Sequence, residues 1–405
     1  MKDRLIAFIL FSAAWLGSSP VYSQSSSGEL NAIQTAVPFL LIAPDSRAGG
    51  MGDAGVATSP DVYSMHWNPA KFAFIDGDAG IGISYVPWLR ALVPDINIAY
   101  LTGYKRIDKK QVISASLAYS SLGDIQFTDI YGNPLLNFKP NELAVDAGYS
   151  RILTEHFSGG IAFRFIYSDL AGGSYINGVP SKPGISFAAD ISGFYQKSVT
   201  LFNKKATIGA GVDISNIGSK MSYSSAEASD FIPMNLRIGG SSTINLDNYN
   251  KISLTLDLNK LLVPTPPLYY SVGDIDKSGD TVKVAMTEIK SGKDPNVSVP
   301  VAIFQSFYDA PGGFREELRE ITYSLGLEYW YNNQLALRGG YFYEDPTKGN
   351  RRYFTAGAGF RMKGFTLDFS YLMPVVQNNP LAHTLRFSLS FDLSALRNAV
   401  SKSNT

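Results

Sequence analysis

Between Lys251 and Leu258 the chain alternates strictly. Ile252, Leu254, Leu256 and Leu258 are apolar, and Ser253, Thr255 and Asp257 between them are polar. Successive strand residues point to opposite faces, so this segment predicts a strand with one apolar and one polar side. The pattern returns near the C-terminus, where Leu385, Phe387, Leu389, Phe391 and Leu393 alternate with Thr384, Arg386, Ser388, Ser390 and Asp392. It returns again in Ile321, Tyr323, Leu325, Leu327 and Tyr329, and in Phe365, Leu367, Phe369 and Tyr371. A soluble sandwich produces one or two strands of this kind; a long series with aromatic ends fits a wall between lipid and a polar lumen.

Fourteen strands are predicted, at 78–87, 94–105, 110–121, 139–152, 156–168, 183–198, 204–216, 231–245, 250–262, 319–331, 334–344, 351–362, 364–374 and 382–393. The number is even, as bacterial single-chain barrels require. Short turns such as Asp108-Lys109, Asp247-Asn248, Asn332-Asn333 and Lys363-Gly364 alternate with longer connections, the longest between Val263 and Leu318. Short turns on one side and long loops on the other make the predicted fold an all-β, 14-stranded antiparallel transmembrane barrel, with both termini on the periplasmic side.

The start of the chain changes the compartment. Lys2 and Arg4 precede an apolar run from Leu5 to Leu16, and Val21-Tyr22-Ser23 supplies small residues before Gln24. This is a secretory signal peptide, too short in its apolar part to span a bilayer. Beyond it, no apolar run approaches the ~20 residues of a transmembrane helix. The expected organisation is a signal peptide at 1–23, a periplasmic or plug segment at 24–77, the barrel at 78–393 and a periplasmic tail at 394–405, placing the protein in the bacterial outer membrane. Charged residues are only 17%, below the ~25% usual in soluble domains. The absence of cysteine removes disulfides, thiolate metal sites and a lipid anchor on cysteine. Zero net charge with no basic block argues against nucleic acid.

Tyr85, Trp88, Tyr104, Tyr119, Tyr167, Tyr331, Tyr341 and Tyr343 fall near predicted strand ends, where rings favour the headgroup level. Inward parity gathers Arg164, Arg237, Arg338, Arg361 and Arg386 with Asp190, Asp213, Asp257, Glu328 and Asp368. Charges in low dielectric normally find partners, so a paired, stiffening set is expected rather than a translocation path.

Residues 24–77 do not alternate. They carry Ser46-Arg47-Ala48-Gly49-Gly50-Met51-Gly52-Asp53-Ala54-Gly55-Val56-Ala57, then Trp67-Asn68-Pro69-Ala70-Lys71. Glycine permits close backbone approach and positive φ, and Asn-Pro signals a turn, so a compact segment packed inside a wide barrel is expected. The stretch lacks the Gly-Lys-Ser/Thr ending of a phosphate loop.

These two motifs resemble the N-terminal signature of the FadL superfamily of outer-membrane proteins, and the whole chain resembles its PorV branch. The resemblance implies a 14-stranded barrel closed by an N-terminal plug, with Arg47, Gly49, Gly52, Asn68 and Pro69 as structural plug residues and no catalytic ones. It also implies a component of the type IX secretion system, one that shuttles proteins and binds cargo. Such a component partners a giant outer-membrane translocon barrel, binds the C-terminal signal domains of secreted proteins, and passes them to a cell-surface attachment complex with a sortase-like peptidase. The alternative is a FadL-type transporter of long-chain fatty acids or other hydrophobic small molecules, which apolar inward residues such as Ile166 and Phe342 would suit.

The expected partner-binding loop is the Pro-stiffened run Pro264, Pro266, Pro267, Leu268, Tyr269 and Tyr270, which suits docking at low entropy cost. A short helix is expected over Gly312 to Glu320. Asp274 to Asp280 matches the first half of a calcium loop, but its twelfth position is Ala285 instead of Glu, so a solvated acidic turn is expected. His66, His156 and His383 have no metal-ligand spacing, and no Gly-x-Ser-x-Gly motif is present. No cofactor, metal or enzymatic activity is therefore expected.

Overall fold

Alternation becomes a closed wall. The strands are β1 (Ala79–Pro87), β2 (Ile96–Arg106), β3 (Gln111–Leu122), β4 (Asn141–Ile152), β5 (Phe157–Asp169), β6 (Gly184–Leu201), β7 (Lys204–Gly218), β8 (Asn235–Asn245), β9 (Asn250–Leu261), β10 (Thr322–Tyr331), β11 (Leu335–Tyr343), β12 (Arg352–Met362), β13 (Phe365–Pro374) and β14 (Leu385–Asp392). They form a single barrel in sequence order. β1 closes on β14 antiparallel, with Gly80 opposite Asp392 and Tyr85 opposite Phe387. Lipid offers no hydrogen bonds, so a β wall in a bilayer has to close and leave no edge. This computed structural model describes residues 30–397 except 91–92, 94, 129–130, 177–178, 225–228, 277–287 and 377–378. The expected signal peptide and the tail beyond Arg397 lie outside the described residues. Among the described residues no helix is long and apolar enough to cross a membrane; the strands do the crossing.

The faces follow the predicted parity. On β9, Leu254, Leu256 and Leu258 are exposed outward, whereas Thr255 and Asp257 are buried toward the lumen. The tight turns have the left-handed backbone that twisted hairpins need: φ is 51° and 53° at Asn332-Asn333, 46° and 92° at Lys363-Gly364, and 51° and 59° at Phe202-Asn203.

The structure corrects the reading in several places. β8 begins at Asn235 instead of 231, because Pro233 has no N–H for a ladder and Phe231, Ile232 and Met234 are all buried, which alternation forbids. β10 begins at Thr322 instead of 319, since the chain before it is a helix, Phe314–Arg319, within the segment expected to be helical. Tyr104 and Trp88 leave the outer girdle. Tyr104 points inward and donates to the Asp76 carbonyl at 2.9 Å, and Trp88 packs with the inward Phe342, Tyr353 and Leu372.

The segment before β1 is not confined to the periplasmic, short-turn end. Asn31 donates from its backbone to the Thr347 carbonyl (3.0 Å) and from its side chain to the Pro266 carbonyl (3.1 Å), both in long-loop connections. From there the chain runs down the lumen and reaches Asp78 at the opposite end, beside Arg106. Leu256→Arg, on the lipid face, is expected to cost ~2–4 kcal/mol, read from urea unfolding in lipid vesicles.

Candidate functional site: the filled lumen and the loop above it

The two N-terminal motifs are one physical unit. Asp45 caps the helical turn Ser46–Gly49 by accepting from the Ala48 amide at 2.8 Å, and its other oxygen accepts from Trp67 Nε1 at 2.7 Å. Asn68 caps the 3-10 turn Pro69–Phe74 through the Ala70 amide (3.0 Å) and donates to the Val56 carbonyl (3.1 Å). Lys71 is fully buried, and its ammonium donates to the Gly55 carbonyl (2.8 Å) and Thr58 Oγ1 (2.9 Å). The glycine-rich stretch is thus clamped by the Trp-Asn-Pro-Ala-Lys stretch that follows it.

This unit is tied to the wall all round. Arg47 bridges Glu328 on β10 (2.9 Å) and Asp61 (2.8 Å). Glu328 also accepts from Arg338 on β11, which pairs in turn with Asp368 on β13 at 2.7 Å. Asp257 on β9 accepts from the amides of Gly55 (2.6 Å) and Val56 (2.8 Å). Arg386 on β14 reaches Asp53 at 3.0 Å, and Asn68 donates to the Gly193 carbonyl on β6 at 3.0 Å. Across the lumen, Arg164 pairs with Asp146 (2.6 Å) and Asp190 (3.2 Å), and Arg237 lies 3.5 Å from Asp213. A bulge at Ser215-Asn216 brings the Asn216 amide to Asp190 at 2.7 Å. Of the expected inward charges only Arg361 stays open, its guanidinium 4.6 Å from the Trp330 ring centroid.

Backbone lies against backbone where the segment meets the wall. A Cβ on Gly340 of β11 would collide with Met51 and Gly52, and one on Gly211 of β7 with Val56. Gly49 is equally confined, since a Cβ there would sit 2.5 Å from Arg386 Nη1. Gly52 combines φ +68° with a Cβ position 2.7 Å from Tyr341 backbone atoms. Gly52→Ala is therefore expected to destabilise the segment by about 1–3 kcal/mol, measured as faster cleavage inside residues 30–77 by added protease with the barrel left heat-resistant.

Toward the long-loop end the lumen keeps a cavity of about 530 Å³. Trp67, Trp88, Phe342 and Tyr353 line it together with Arg237 and Arg351.

The expected docking run divides. Leu268 and Tyr269 are exposed, but Pro264, Pro267 and Tyr270 are buried and Pro266 is half-buried. Leu268–Tyr269 forms a short ribbon with Ile289–Ser291. Asp274 pairs with Lys290 at 2.7 Å, the second half of the candidate calcium loop lies outside the described residues, and no metal-holding cluster occurs among those described. Sequence reasoning missed the main apolar surface of this connection. A helix Val299–Gln305 buries Ala302 and Gln305 and turns Val301 and Phe304 outward, with Phe307 and Tyr308 following. On the helix Phe314–Arg319, Phe314 and Leu318 are outward and Glu317 inward. Phe304 is 71% exposed and Phe314 75%. Which of these apolar residues face outward is decided by how each helix docks, and the sequence alone does not show it.

An ionic knot holds that loop down. Lys260 pairs with Glu317 (2.9 Å) and Glu320 (2.7 Å), and Lys348 with Glu316 (2.5 Å) and Glu320 (2.9 Å). Asp309 accepts from the Thr265 amide at 3.2 Å, and its other oxygen is buried without a partner. Burial, reinforced by Glu317 and Glu320 and opposed by that amide, pushes the Asp309 carboxyl up to about 6. A raised carboxyl means that the folded loop holds the proton more tightly than the unfolded chain. The resulting stability is present at low pH and is lost as pH rises through 6. Proteolysis within 262–321 should therefore be faster at pH 7.5 than at pH 5, and Asp309→Asn should flatten that difference.

Among known protein families, one matches the chain over residues 25–268: type IX secretion system protein PorV. The chain belongs to the PorV family. With a closed 14-strand barrel, that membership makes it an outer-membrane protein of type IX secretion. No curated protein sequence matches it. Similar solved structures include the toluene transporter TodX of Pseudomonas putida, at 13% identity over 90% of this chain and 99% of that one (TM-score 0.49). The Ralstonia pickettii toluene transporter TbuX is 12% identical over 86% and 96% (TM-score 0.42). A Pseudomonas aeruginosa FadL homologue is 11% identical over 90% and 99% (TM-score 0.41).

Proposed function

We propose that this protein is the shuttle and cargo-binding component of its secretion system. It receives the C-terminal signal domains of secreted proteins at the translocon barrel and hands them to a surface attachment complex containing a sortase-like peptidase. One observation carries the reading: apolar side chains are concentrated outside, on the loop between β9 and β10, while below the cavity the lumen is occupied by the N-terminal segment. Phe304, Phe307, Tyr308, Phe314 and Leu318 stand exposed on or just after two short helices, the second of them fixed by the Lys260–Glu317–Glu320–Lys348 knot. Aromatic side chains held on a rigid base bind partners with little entropy cost. In the same reading Arg47, Gly49, Gly52, Asn68 and Pro69 form a plug against leakage, a role that suits the contacts of this set with β6, β10, β11 and β14.

A second reading rests on the 530 Å³ cavity, whose aromatic walls fit a hydrophobic small molecule, as a FadL-type transporter would require. Purification of the tagged protein from native membranes in mild detergent, followed by mass spectrometry of proteins and lipids, separates the two. A very large barrel and secreted proteins sharing a C-terminal domain are expected, with cargo recovery falling at least tenfold in the Phe304→Ser, Phe314→Ser double variant while heat-modifiable migration is unchanged. Recovery of the barrel alone with fatty acids, abolished by a bulky residue in the cavity, sinks the shuttle and establishes the transporter.

A further inference from the structure

The outer wall is not uniformly convex. Across β10 to β13 the lipid-facing residues line up in rows set by register: Tyr329 beside Leu337, Leu337 beside Ala358, and Ala358 beside Phe369. Ala358 is the small member of a row of large ones. Its neighbours lean away from it, since the Phe369 ring packs on Phe387 of β14 at 5.3 Å and the Phe360 ring meets Phe365 edge-on at 6.2 Å. The result is an open groove of about 440 Å³, floored by Ala358 and Gly359 and walled by Tyr329, Leu337, Phe360 and Phe369.

The groove is continuous with the lipid-facing wall and belongs to its short-turn half. Ala358 is five residues from the Lys363-Gly364 turn, which at about 3.3 Å per residue along a tilted strand places it near mid-membrane. Phe360 lies nearer the turn. Short turns face the periplasm in outer-membrane barrels, so the surrounding leaflet is the phospholipid one. Beyond the short-turn end of the groove, the turn that follows β12 carries positive charge. Lys363 is exposed in the turn, and exposed Arg397 follows Ala395 and Leu396, which pack against Gly364. The neighbouring Asp392 carboxylate is engaged by the amides of Ser394 and Ala395.

We propose that this groove is a binding site for a glycerophospholipid of the periplasmic leaflet, one acyl chain lying over Ala358 and the phosphate meeting Lys363 and Arg397. A filled groove is the natural test, because Ala358→Phe points into lipid and leaves the lumen untouched. Native mass spectrometry of the full-length protein, released from a mild detergent after addition of phosphatidylethanolamine, should show one retained lipid on the wild type. Retention should fall at least fivefold in Ala358→Phe and severalfold in Lys363→Ala, with heat-modifiable migration preserved in both. Equal retention in Ala358→Phe and wild type, or no retained lipid at all, overturns the site. A photo-crosslinking residue at Leu337 in native membranes supplies a second readout: adducts to lipid support it, and adducts to another protein overturn it in favour of a partner barrel.

Discussion

A backbone placed in hydrocarbon has nothing to bond to but itself, and every feature of this molecule answers to that constraint. Closing β1 onto β14 pairs the last free edge. Closure in turn dictates the interior, because fourteen tilted strands enclose a lumen too wide for wall side chains alone to fill. The chain fills it with its own N-terminal segment, and that segment brings fresh backbone polar groups into a place with little water. Asp257 accepting two amides and Asn68 bonding two carbonyls are direct consequences.

The lumen is therefore ionic, and its charges are largely paired. Arg47, Glu328, Arg338 and Asp368 form a chain of buried pairs from the segment to three strands. Pairs of this kind add little net stability over an apolar core, but breaking one strands a charge. At the close passages of Gly211 and Gly340, only a glycine wall lets the two backbones touch. With the interior so occupied, chemistry that concerns other molecules is left to the surfaces: the loop above, the cavity beneath it, and the wall in lipid.

Much was legible because β structure in a membrane writes itself locally. A period of two residues reveals the lipid-facing side, and asparagine or glycine at tight turns marks the ends. The strand series and the turn asymmetry of the sequence match the barrel closely for that reason. Where the reading slipped, a nonlocal contact had taken over. Tyr104 sits on an aromatic-rich strand but turns inward to reach the Asp76 carbonyl. Phe231 to Met234 look like strand but are drawn into a cluster with Val37, Phe39 and Leu262. Pro264 and Pro267 look like an exposed, stiff loop but are buried.

The sequence by itself determined the compartment-facing periodicity, the number and order of strands and the presence of a glycine-rich segment ahead of them, since each depends on residues within a few positions of one another. Only the tertiary structure decided that this segment enters from the long-loop end, that Arg47 meets Glu328, and that Phe304 and Phe314 are left exposed. Those outcomes join residues up to hundreds of positions apart. They depend on strand register and on which pairs can shed water together, neither of which leaves a period in the chain.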